Sequence, residues 1–291
     1  MANITAALIT ELREKTAAGM MDCKAALMEN NGDIEAAADW LRQKGIVKAA
    51  KKADRVAASG LVAAAKSKDG TFGVIVELNA ETDFVAKNEM FQKLVHDTTV
   101  KALELKADFD AVANAMGDEI KNTISTIGEN MTLRRIAGID GDAVYTYVHN
   151  AMVPNMGQIG VVVAINGDIA ASADIGPKVA MHIAANKPEF ASIDQVDPVS
   201  VEREKKVFIE SGATDGKPEQ VALKMVEGRI KKYYGESVLN EQPFVMDPAQ
   251  TVGAVLAAAG LTLAGFAYYL LGEGIQKKED NLADEVSKLL G

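Results

Sequence analysis

Apolar and polar residues alternate at helical spacing in the first part of the chain, residues 3–46, and predict three short amphipathic helices. Asp22 and Asp33 are each placed to cap a helix, because an aspartate oxygen can accept a hydrogen bond from a first-turn N–H group. Gly45 is placed to end the third helix. A bundle this small is near the lower limit for independent stability, so we expect it to dock on a partner or on the rest of the chain. The apolar face of the first helix consists of Ile4, Leu8, Ile9 and Leu12.

Two later segments share the same order of patterns, namely a continuous apolar run that predicts a buried strand and then a helical pattern. The strand candidates are Phe72–Asn79 and Ile159–Asn166, and the helical segments that follow them are Phe91–His96 and Pro177–His182. This similarity suggests a duplicated α+β subdomain, in which a helix covers one face of each sheet. The alternative is a chance similarity between two apolar strands.

Residues 198–235 predict a helical hairpin. Asp197-Pro198 is a helix start, Ser211-Gly212 breaks the helix, and Pro218 starts the second helix. Charged residues dominate the first arm and leave little apolar surface for a core. We therefore expect the hairpin to project outward and to serve for contact.

The segment Val252–Gly272 has no charged residue over 21 positions and is long enough to span a bilayer. Glycines at 253, 260 and 265 interrupt it, so we interpret it as a short helix, a glycine turn and a strand, with a membrane span as the alternative. The last segment, Glu273–Gly291, has an apolar helical stripe that we expect to pack on the body or on a partner. The stripe consists of Leu282, Val286, Leu289 and Leu290.

Composition and charge narrow the classes of function. Of the 291 residues, 48% are hydrophobic, which fits folded domains rather than a disordered chain. With 31 Lys and Arg against 41 Asp and Glu, the formal net charge is −10, which argues against direct binding of nucleic acid. A basic stretch, Lys48–Arg55, fits a solvated linker or a helix end. The single cysteine, Cys23, and a start that lacks the apolar core of a secretory signal favour a reducing, cytoplasmic location.

The sequence offers little catalytic chemistry. The nearest approach to the phosphate-binding pattern GxxxxGK[ST], at Gly212–Pro218, is one residue too short and ends on proline where a hydroxyl is required. Cys23 lacks a paired base, and no Cys/His cluster has the spacing of a metal site. We therefore expect no enzyme, no cofactor and no metal, with an enzyme that uses one of the histidines as the alternative. The histidines, which lie far apart in the sequence, are His96, His149 and His182.

The segment after the first apolar strand, Asn79–Asn88, combines an aromatic residue with two acids. In one interpretation, Thr82 or Asp83 caps a helical turn and Phe84 anchors the loop in the core. In the other, Phe84 is exposed and enters an apolar pocket of another protein, while Asp83 competes there for groups that serve a phosphate or a metal ion. Composition alone leaves both interpretations open.

Several segments resemble the translation elongation factor Ts family. Lys15–Leu27, followed by Asn31-Gly32-Asp33, is similar to the N-terminal signature of that family, and Thr82–Lys87 is similar to its second signature. The resemblance continues in the family's order along the whole chain. The further matching segments are Ile127–Asn130, Met181–Ala184, Lys187–Phe190, Lys224–Arg229 and Gln242–Met246.

The resemblance implies an α+β fold with an N-terminal three-helix UBA-like module and a core of two related antiparallel-sheet and helix subdomains. It also implies a projecting helical hairpin of the coiled-coil type and a C-terminal helical module. The blocks inferred from the patterns agree with this plan. The expected boundaries are 1–54 for the N-terminal module, 55–142 for core subdomain N, 143–197 and 236–272 for core subdomain C, 198–235 for the hairpin, and 273–291 for the C-terminal module.

The resemblance also implies a function, which is guanine-nucleotide exchange on elongation factor Tu. The chain is expected to bind this partner in its GDP-bound and nucleotide-free forms and to promote GDP release and GTP loading. In the family, a loop that matches Thr82, Asp83, Phe84 and Val85 disturbs the partner's Mg²⁺ and phosphate site. The other positions that match the family's contact surface are Lys24, Ile127, Gly128, His149, Val245 and Met246.

Two questions about partners stay open in the sequence. The alternative function is a noncatalytic adaptor that binds another partner through the UBA-like module, and dependence of activity on the Asp83-Phe84 loop distinguishes the two. The oligomeric state is also open, because hairpin 198–235 serves dimerisation in some relatives while others work as one-to-one complexes. We expect no direct contact with nucleic acid and no association with a membrane.

Overall fold

A computed structural model describes residues 4–16 and 18–276 of the chain. It combines α-helices with antiparallel strands, which confirms the predicted α+β class. The helices are α1 (Ala6–Thr16), α2 (Met20–Glu29), α3 (Ile34–Ala50), α4 (Glu89–Glu104), α5 (Phe109–Ile127), α6 (Ile169–Asn186), α7 (Pro198–Glu210), α8 (Glu219–Ser237) and α9 (Val252–Ala258). The strands are β1 (Ser59–Lys66), β2 (Phe72–Ala80), β3 (Met131–Asp140), β4 (Ala143–His149), β5 (Met156–Gly157), β6 (Ile159–Asn166), β7 (Pro243–Phe244), β8 (Asp247–Thr251) and β9 (Thr262–Leu270).

The chain forms two compact units. The first comprises the described parts of residues 1–62, 76–136 and 270–291, and the second comprises residues 63–75 and 137–269. The strands pair in the orders β3-β2-β1-β5, β4-β6-β9 and β7-β8. The domain boundaries expected from the resemblance stay a prediction.

The three predicted N-terminal helices are present in the first unit as α1, α2 and α3. Leu12 is fully buried, and the other three residues of the predicted face of α1 pack against the same small cluster, which confirms that face. Asp33 accepts a hydrogen bond from the Ala36 N–H at 3.0 Å, which confirms one predicted cap. Burial of this face brings the three helices together.

Two of the predicted helix ends are wrong. Asp22 lies within the first turn of α2 rather than at its cap, because the chain enters this helix through Gly19 in an extended conformation. A carboxylate in that turn still interacts favourably with the positive end of the helix dipole. Gly45 lies inside α3, which continues to Ala50. A Cβ atom at Gly45 would stand 3.3 Å from Ser125 Oγ, so this glycine permits a close approach of α3 to α5.

Side-chain caps and a glycine turn fix the ends of α4 and α5 in the first unit. Asn88 and Asp108 accept hydrogen bonds from first-turn N–H groups of α4 and α5, each at 2.9 Å. Helix α5 ends at Gly128, whose φ of 92° is left-handed and whose N–H donates to the Ile124 carbonyl. This turn leads the chain from α5 into β3 and positions residues 128–130.

In the second unit, α6 packs against one face of the sheet that contains β4 and β6. These strands are antiparallel, with Ala143 opposite Ile165 at one end and His149 opposite Ile159 at the other. Alternate residues of β6 join a cluster with α6, as the two-residue period of a strand requires. A strand followed by a helix is thus found at both places where the sequence predicts one. The buried residues of β6 and α6 in this cluster are Val161, Val163, Ile165, Val179, Ala180, Ile183 and Ala184.

Helices α7 and α8 form the predicted hairpin in the second unit. Asp197 caps α7 by accepting a hydrogen bond from the Val199 N–H at 2.9 Å, and Pro218 precedes α8. Arg229 of α8 donates a hydrogen bond to Glu204 of α7 at 2.7 Å. The buried apolar contacts of the hairpin lie at its base, where α7 begins and α8 ends. Exposed apolar residues along the two arms are Val199, Val207, Ile209, Val221 and Leu223.

The uncharged segment 252–272 contains α9, a turn and β9, which confirms its interpretation as a helix, a glycine turn and a strand. Gly260 in the turn has a φ of 69°, a conformation that favours glycine. Among the described residues, no helix is both long and apolar enough to cross a membrane. The predicted stripe of Leu282, Val286, Leu289 and Leu290 lies outside the described residues.

Candidate functional site

The loop with the predicted site, residues 81–85, lies between β2 and α4 in the first unit. Phe84 is 75% exposed, and Asp83 beside it is exposed as well. Val85 is buried and begins a short 3-10 turn, Val85–Lys87, for which no side chain serves as a cap. The interpretation that Phe84 anchors the loop in the core is therefore wrong, because Val85 does so one position later. The interpretation of a cap at Thr82 or Asp83 is wrong for the same turn.

Thr82 is held by the carboxylate of Glu129. One oxygen of this carboxylate accepts the Thr82 N–H at 2.9 Å, and the other accepts the Thr82 hydroxyl at 2.7 Å. In the opposite direction, Glu81 accepts a hydrogen bond from the Asn130 N–H at 2.5 Å. Hydrogen bonds to carboxylates are stronger than neutral ones, so these contacts connect the loop firmly to the segment that follows α5.

Ile127 and Gly128, two of the expected contact residues, lie at the end of α5 and are half-buried. They directly precede Glu129, so the structure brings them together with the loop. The left-handed conformation of Gly128 reverses the chain and directs Glu129 towards Thr82. Residues 81–85 and 127–130 of the first unit thus form one site, joined by the hydrogen bonds of Thr82 with Glu129 and of Glu81 with Asn130.

Lys24, a third expected contact in the first unit, is exposed on α2. Met20, Met21 and Met28 are exposed around it. Residues 20, 24 and 28 are four positions apart, so they share one face of the helix. Sequence reasoning missed the methionines, although their helical spacing around Lys24 is a signal that could have found them. Flexible methionine side chains suit surfaces that adapt to a partner.

The remaining expected contacts lie in the second unit. His149 is exposed at the end of β4, where its Nδ1 atom lies 3.1 Å from the Tyr147 hydroxyl. Val245 and Met246 form the turn between β7 and β8, and both are about half exposed. The turn thus presents two apolar side chains to solvent.

His182 contacts this turn from the core of the second unit. Its Nδ1 atom accepts the Val245 N–H at 3.2 Å, and its Nε2 atom lies 2.8 Å from Gln242 Oε1. Gln242 uses its amide nitrogen to donate to the Glu236 carbonyl at 2.8 Å, which directs its oxygen to the imidazole and assigns the proton to Nε2. Burial lowers the pKa of His182, against an opposite effect of the Gln242 hydrogen bond. The histidine is therefore a buried neutral group that supports the backbone of the turn.

Within the described ranges, no group of three or more His, Cys, Asp or Glu side chains lies close enough to hold a metal ion. Cys23 is buried among the N-terminal helices, and His96 is exposed with its Nδ1 atom 3.1 Å from Asp97. The absence of a cofactor and of a catalytic group stays a prediction. Large apolar side chains on the described surface include Phe84, Met21 and Leu223, each more than half exposed.

Comparison with known proteins identifies the class to which this α+β fold and its exposed loop belong. Residues 81–273 match the family model described as Elongation factor TS. The matched range includes the loop, the hairpin and the expected contacts of the second unit. The class is therefore that of translation elongation factors.

Relatives of similar length agree with this result. Elongation factor Ts of Hyphomonas neptunium is 55% identical over 298 aligned positions, which cover 99% of this chain and 99% of the relative. Elongation factor Ts of Paracoccus denitrificans is 50% identical over 291 positions, with 98% of each chain covered. Elongation factor Ts of Caulobacter vibrioides is 49% identical over 310 positions, which cover 100% of this chain and 99% of the relative. The chain belongs to the elongation factor Ts family, which confirms the resemblance inferred from its sequence.

Proposed function

We propose that the chain is a guanine-nucleotide exchange factor for elongation factor Tu, which binds the GDP complex and promotes GDP release and GTP loading during translation elongation. The observation that supports this function best is Phe84, which is 75% exposed beside Asp83 on a loop held at Thr82. An aromatic side chain is usually buried, so its exposure at a fixed position fits insertion into a pocket of another protein. Membership of the elongation factor Ts family supports the same function.

Nucleotide exchange requires no bond-breaking chemistry. The factor binds the nucleotide-free partner more tightly than the nucleotide-bound partner, and linkage makes the antagonism between factor and nucleotide reciprocal. Each tenfold weakening of nucleotide binding corresponds to about 1.4 kcal/mol, so a larger effect requires many contacts rather than one. The proposed function therefore uses no catalytic residue and no cofactor. We place it in the cytoplasm, where translation elongation takes place.

In the proposed mechanism, Phe84 is a steric wedge and Asp83 is an acceptor that competes at the partner's Mg²⁺ and phosphate site. Mg²⁺ bridges phosphate oxygens to protein oxygens, so loss of its ligands weakens the hold on the nucleotide. Thr82 and Val85 hold the two ends of the loop, through the Glu129 carboxylate and through burial. The wider contact surface for the partner consists of Lys24, Ile127, Gly128, His149, Val245 and Met246.

Release of fluorescent GDP from purified elongation factor Tu at fixed Mg²⁺ tests this function. The native chain is expected to accelerate release strongly, and Phe84→Ala is expected to lose most of that acceleration. Phe109→Ala is the matched control, because Phe109 is also exposed in the first unit but lies outside the proposed contacts. A native chain without effect would contradict exchange, whereas full acceleration by Phe84→Ala would contradict only the wedge.

The alternative function is a noncatalytic adaptor that binds another partner through the N-terminal helices. The exposed Met20, Met21 and Met28 around Lys24 favour a binding surface on α2. An adaptor of this kind would still bind its partner in Phe84→Ala and would lose that binding in Met21→Glu. An exchange factor would lose activity in Phe84→Ala.

A homodimer through hairpin 198–235 is a separate proposal. The exposed apolar side chains of its two arms, such as Val207 and Leu223, support a contact there. Sedimentation velocity of the native chain and of Val207→Glu tests it. A dimer that the substitution dissociates is the expected result, and a native monomer at all concentrations would contradict the proposal.

The net charge of −10 supports a surface that makes no direct contact with nucleic acid.

A further inference from the structure

Residues 128–130 lie between the Asp83-Phe84 loop and the chain that follows α3, all within the first unit. Glu129 in this segment is not among the expected contacts with a partner. Both of its carboxylate oxygens are directed to Thr82, one to the N–H at 2.9 Å and one to the hydroxyl at 2.7 Å. A carboxylate used in this way fixes both the backbone and the side chain of one residue.

The segment that holds Glu129 is itself fixed from the other side. Lys52 donates a hydrogen bond to the Gly128 carbonyl. The buried amide of Asn130 donates to the Ala53 carbonyl at 3.3 Å and to the Arg55 carbonyl at 2.7 Å. Glu129 therefore lies in a turn that hydrogen bonds hold in place on both sides, at Gly128 and at Asn130.

Two fixed points leave a short exposed segment between them. Thr82 is held by Glu129, and Val85 is buried at the start of the 3-10 turn. Only Asp83 and Phe84 lie between these points, and both are exposed. Binding groups held in one conformation before a complex forms lose less conformational freedom when it forms.

We propose that Glu129 is a positioning residue for nucleotide exchange, whose carboxylate holds Thr82 so that Asp83 and Phe84 meet the partner in the binding conformation. This inference deepens the proposed function and rests on it. Glu129 acts through the loop and does not itself contact the nucleotide site. Removal of its carboxylate therefore affects exchange only while the loop side chains are present.

The first experiment measures the loop in the free chain, without a partner. Hydrogen exchange of backbone amides is followed by mass spectrometry in native chain, Glu129→Ala, Thr82→Ser and Thr82→Val. Faster exchange of residues 82–84 is expected in Glu129→Ala, because the Thr82 N–H loses its acceptor. Thr82→Ser keeps both donors and is expected to behave like the native chain. If the backbone amides of residues 82–84 exchange hydrogen at the native rate in Glu129→Ala, the proposal is overturned.

The second experiment measures GDP release from elongation factor Tu in a double-mutant cycle. Glu129→Ala is expected to lower the second-order rate constant of stimulated release about tenfold, the scale of one lost hydrogen bond to a charged group. In a chain that carries Asp83→Ala and Phe84→Ala, the same substitution is expected to have less than about a twofold effect. Glu119→Ala is the control, since it removes a partly exposed carboxylate from α5.

Thr82→Val keeps the proposal falsifiable if Glu129→Ala fails to fold, because it removes one hydrogen bond and leaves the carboxylate in place. Its rate constant is expected to fall several-fold, and Thr82→Ser is expected to restore the native value. Positioning would be overturned if Glu129→Ala lowered the rate constant by the same factor in the native chain and in the chain that carries Asp83→Ala and Phe84→Ala. It would also be overturned if Glu129→Ala and Thr82→Val both kept the native rate constant. If the native chain does not accelerate GDP release from elongation factor Tu, the proposed function is wrong, whatever the hydrogen exchange of the loop shows.

Discussion

At the scale of single residues, His182 is expected to make the stability of the chain depend on pH. Its buried imidazole contacts neutral groups, which are Gln242, Asn186, the Val245 N–H and the ring of Phe244. Burial lowers the pKa of His182 below 6.5, against the effect of the Gln242 hydrogen bond. Well above pH 6.5 the imidazole is neutral in both states, and as the pH falls through 6.5 the unfolded chain binds the proton before the folded chain does.

The free energy of unfolding is therefore expected to be highest above pH 6.5 and to fall as the pH drops from 6.5 towards the lowered pKa of His182. Urea unfolding between about pH 5 and pH 8 measures this dependence. His182→Gln is expected to show a shallower dependence over this range, because glutamine does not titrate. If the free energy of unfolding changed with pH equally in the native chain and in His182→Gln, the assignment of this dependence to His182 would be contradicted.

Glu77 is a charged residue that lies fully buried within β2. Its carboxylate accepts hydrogen bonds from Arg134 at 2.9 Å, from Arg135 at 2.5 Å and from the Gly272 N–H at 2.8 Å, all in the first unit. Burial by itself raises the pKa of Glu77, but the hydrogen bonds from Gly272 and the two arginines outweigh it and hold the pKa below 4.5. The stabilisation is therefore present above pH 4.5 and lost as the pH falls through the lowered pKa.

Glu77→Gln is expected to lower the free energy of unfolding at neutral pH by about 3 kcal/mol, because it removes the buried anion that accepts from Arg134 and Arg135, although Arg135 keeps an ion pair with Glu273 at 3.6 Å. Both arginines are partly exposed, which places the loss at the lower end for a broken buried ion pair. Urea unfolding measures the change, with Glu119→Gln on α5 as the control for loss of a partly exposed carboxylate. A loss for Glu77→Gln no larger than that of the control would contradict the role of this network.

Phe84 could be singled out from the sequence, whereas the residues that hold its loop could not. An aromatic residue that follows two acids, Glu81 and Asp83, in one loop is a local signal, and the resemblance to a family supplied its expected role. Glu129 holds Thr82 across 47 positions of the chain, and nothing near either residue indicates the contact. Glu77 lies in an apolar run whose pattern predicts a strand but says nothing of two arginines on β3.

At the scale of single elements, one glycine inside α5 and one just past its end are expected to respond to alanine in opposite directions. Gly117 lies inside the helix with open space around it, so Gly117→Ala is expected to stabilise the chain by about 0.5–1 kcal/mol. Gly128 has a φ of 92° just past the helix end, so Gly128→Ala is expected to destabilise it by about 1–2 kcal/mol. Urea unfolding of the two variants measures both changes, and changes of the same sign would contradict this interpretation.

Apolar patterns predicted the three N-terminal helices, the strands β2 and β6 and the helical segments that follow those strands, because each repeats a buried face or forms a continuous apolar run. Helix α5 and strands β3 and β4 were not predicted. The short strands β5, β7 and β8 repeat too few residues for such a signal, and their existence depends on pairing with distant segments. Gly45 shows a second limit of sequence patterns. A glycine after an apolar pattern usually indicates a helix end, but here close packing between α3 and α5 uses the missing side chain within the helix.

At the scale of the whole molecule, the expected contacts with a partner are divided between the two units. The first unit contains Lys24, the loop at Phe84 and the turn at Gly128, and the second contains His149 and the turn at Val245. Exchange requires a large difference in binding between two states of the partner, so contacts on both units can contribute to it. Contacts at the Mg²⁺ site and contacts elsewhere should then differ in their response to Mg²⁺.

Removal of Mg²⁺ is expected to separate the role of Phe84 from that of Met246. If the loop acts by disturbing the Mg²⁺ site, a chelator weakens nucleotide binding beforehand and leaves the loop less to contribute. The ratio of GDP release rates between native chain and Phe84→Ala is therefore expected to fall towards one without Mg²⁺. Met246→Ala, in the second unit, is expected to slow release by the same factor with and without Mg²⁺. An undiminished loss for Phe84→Ala in chelator would show that this side chain weakens nucleotide binding by a route that does not involve Mg²⁺.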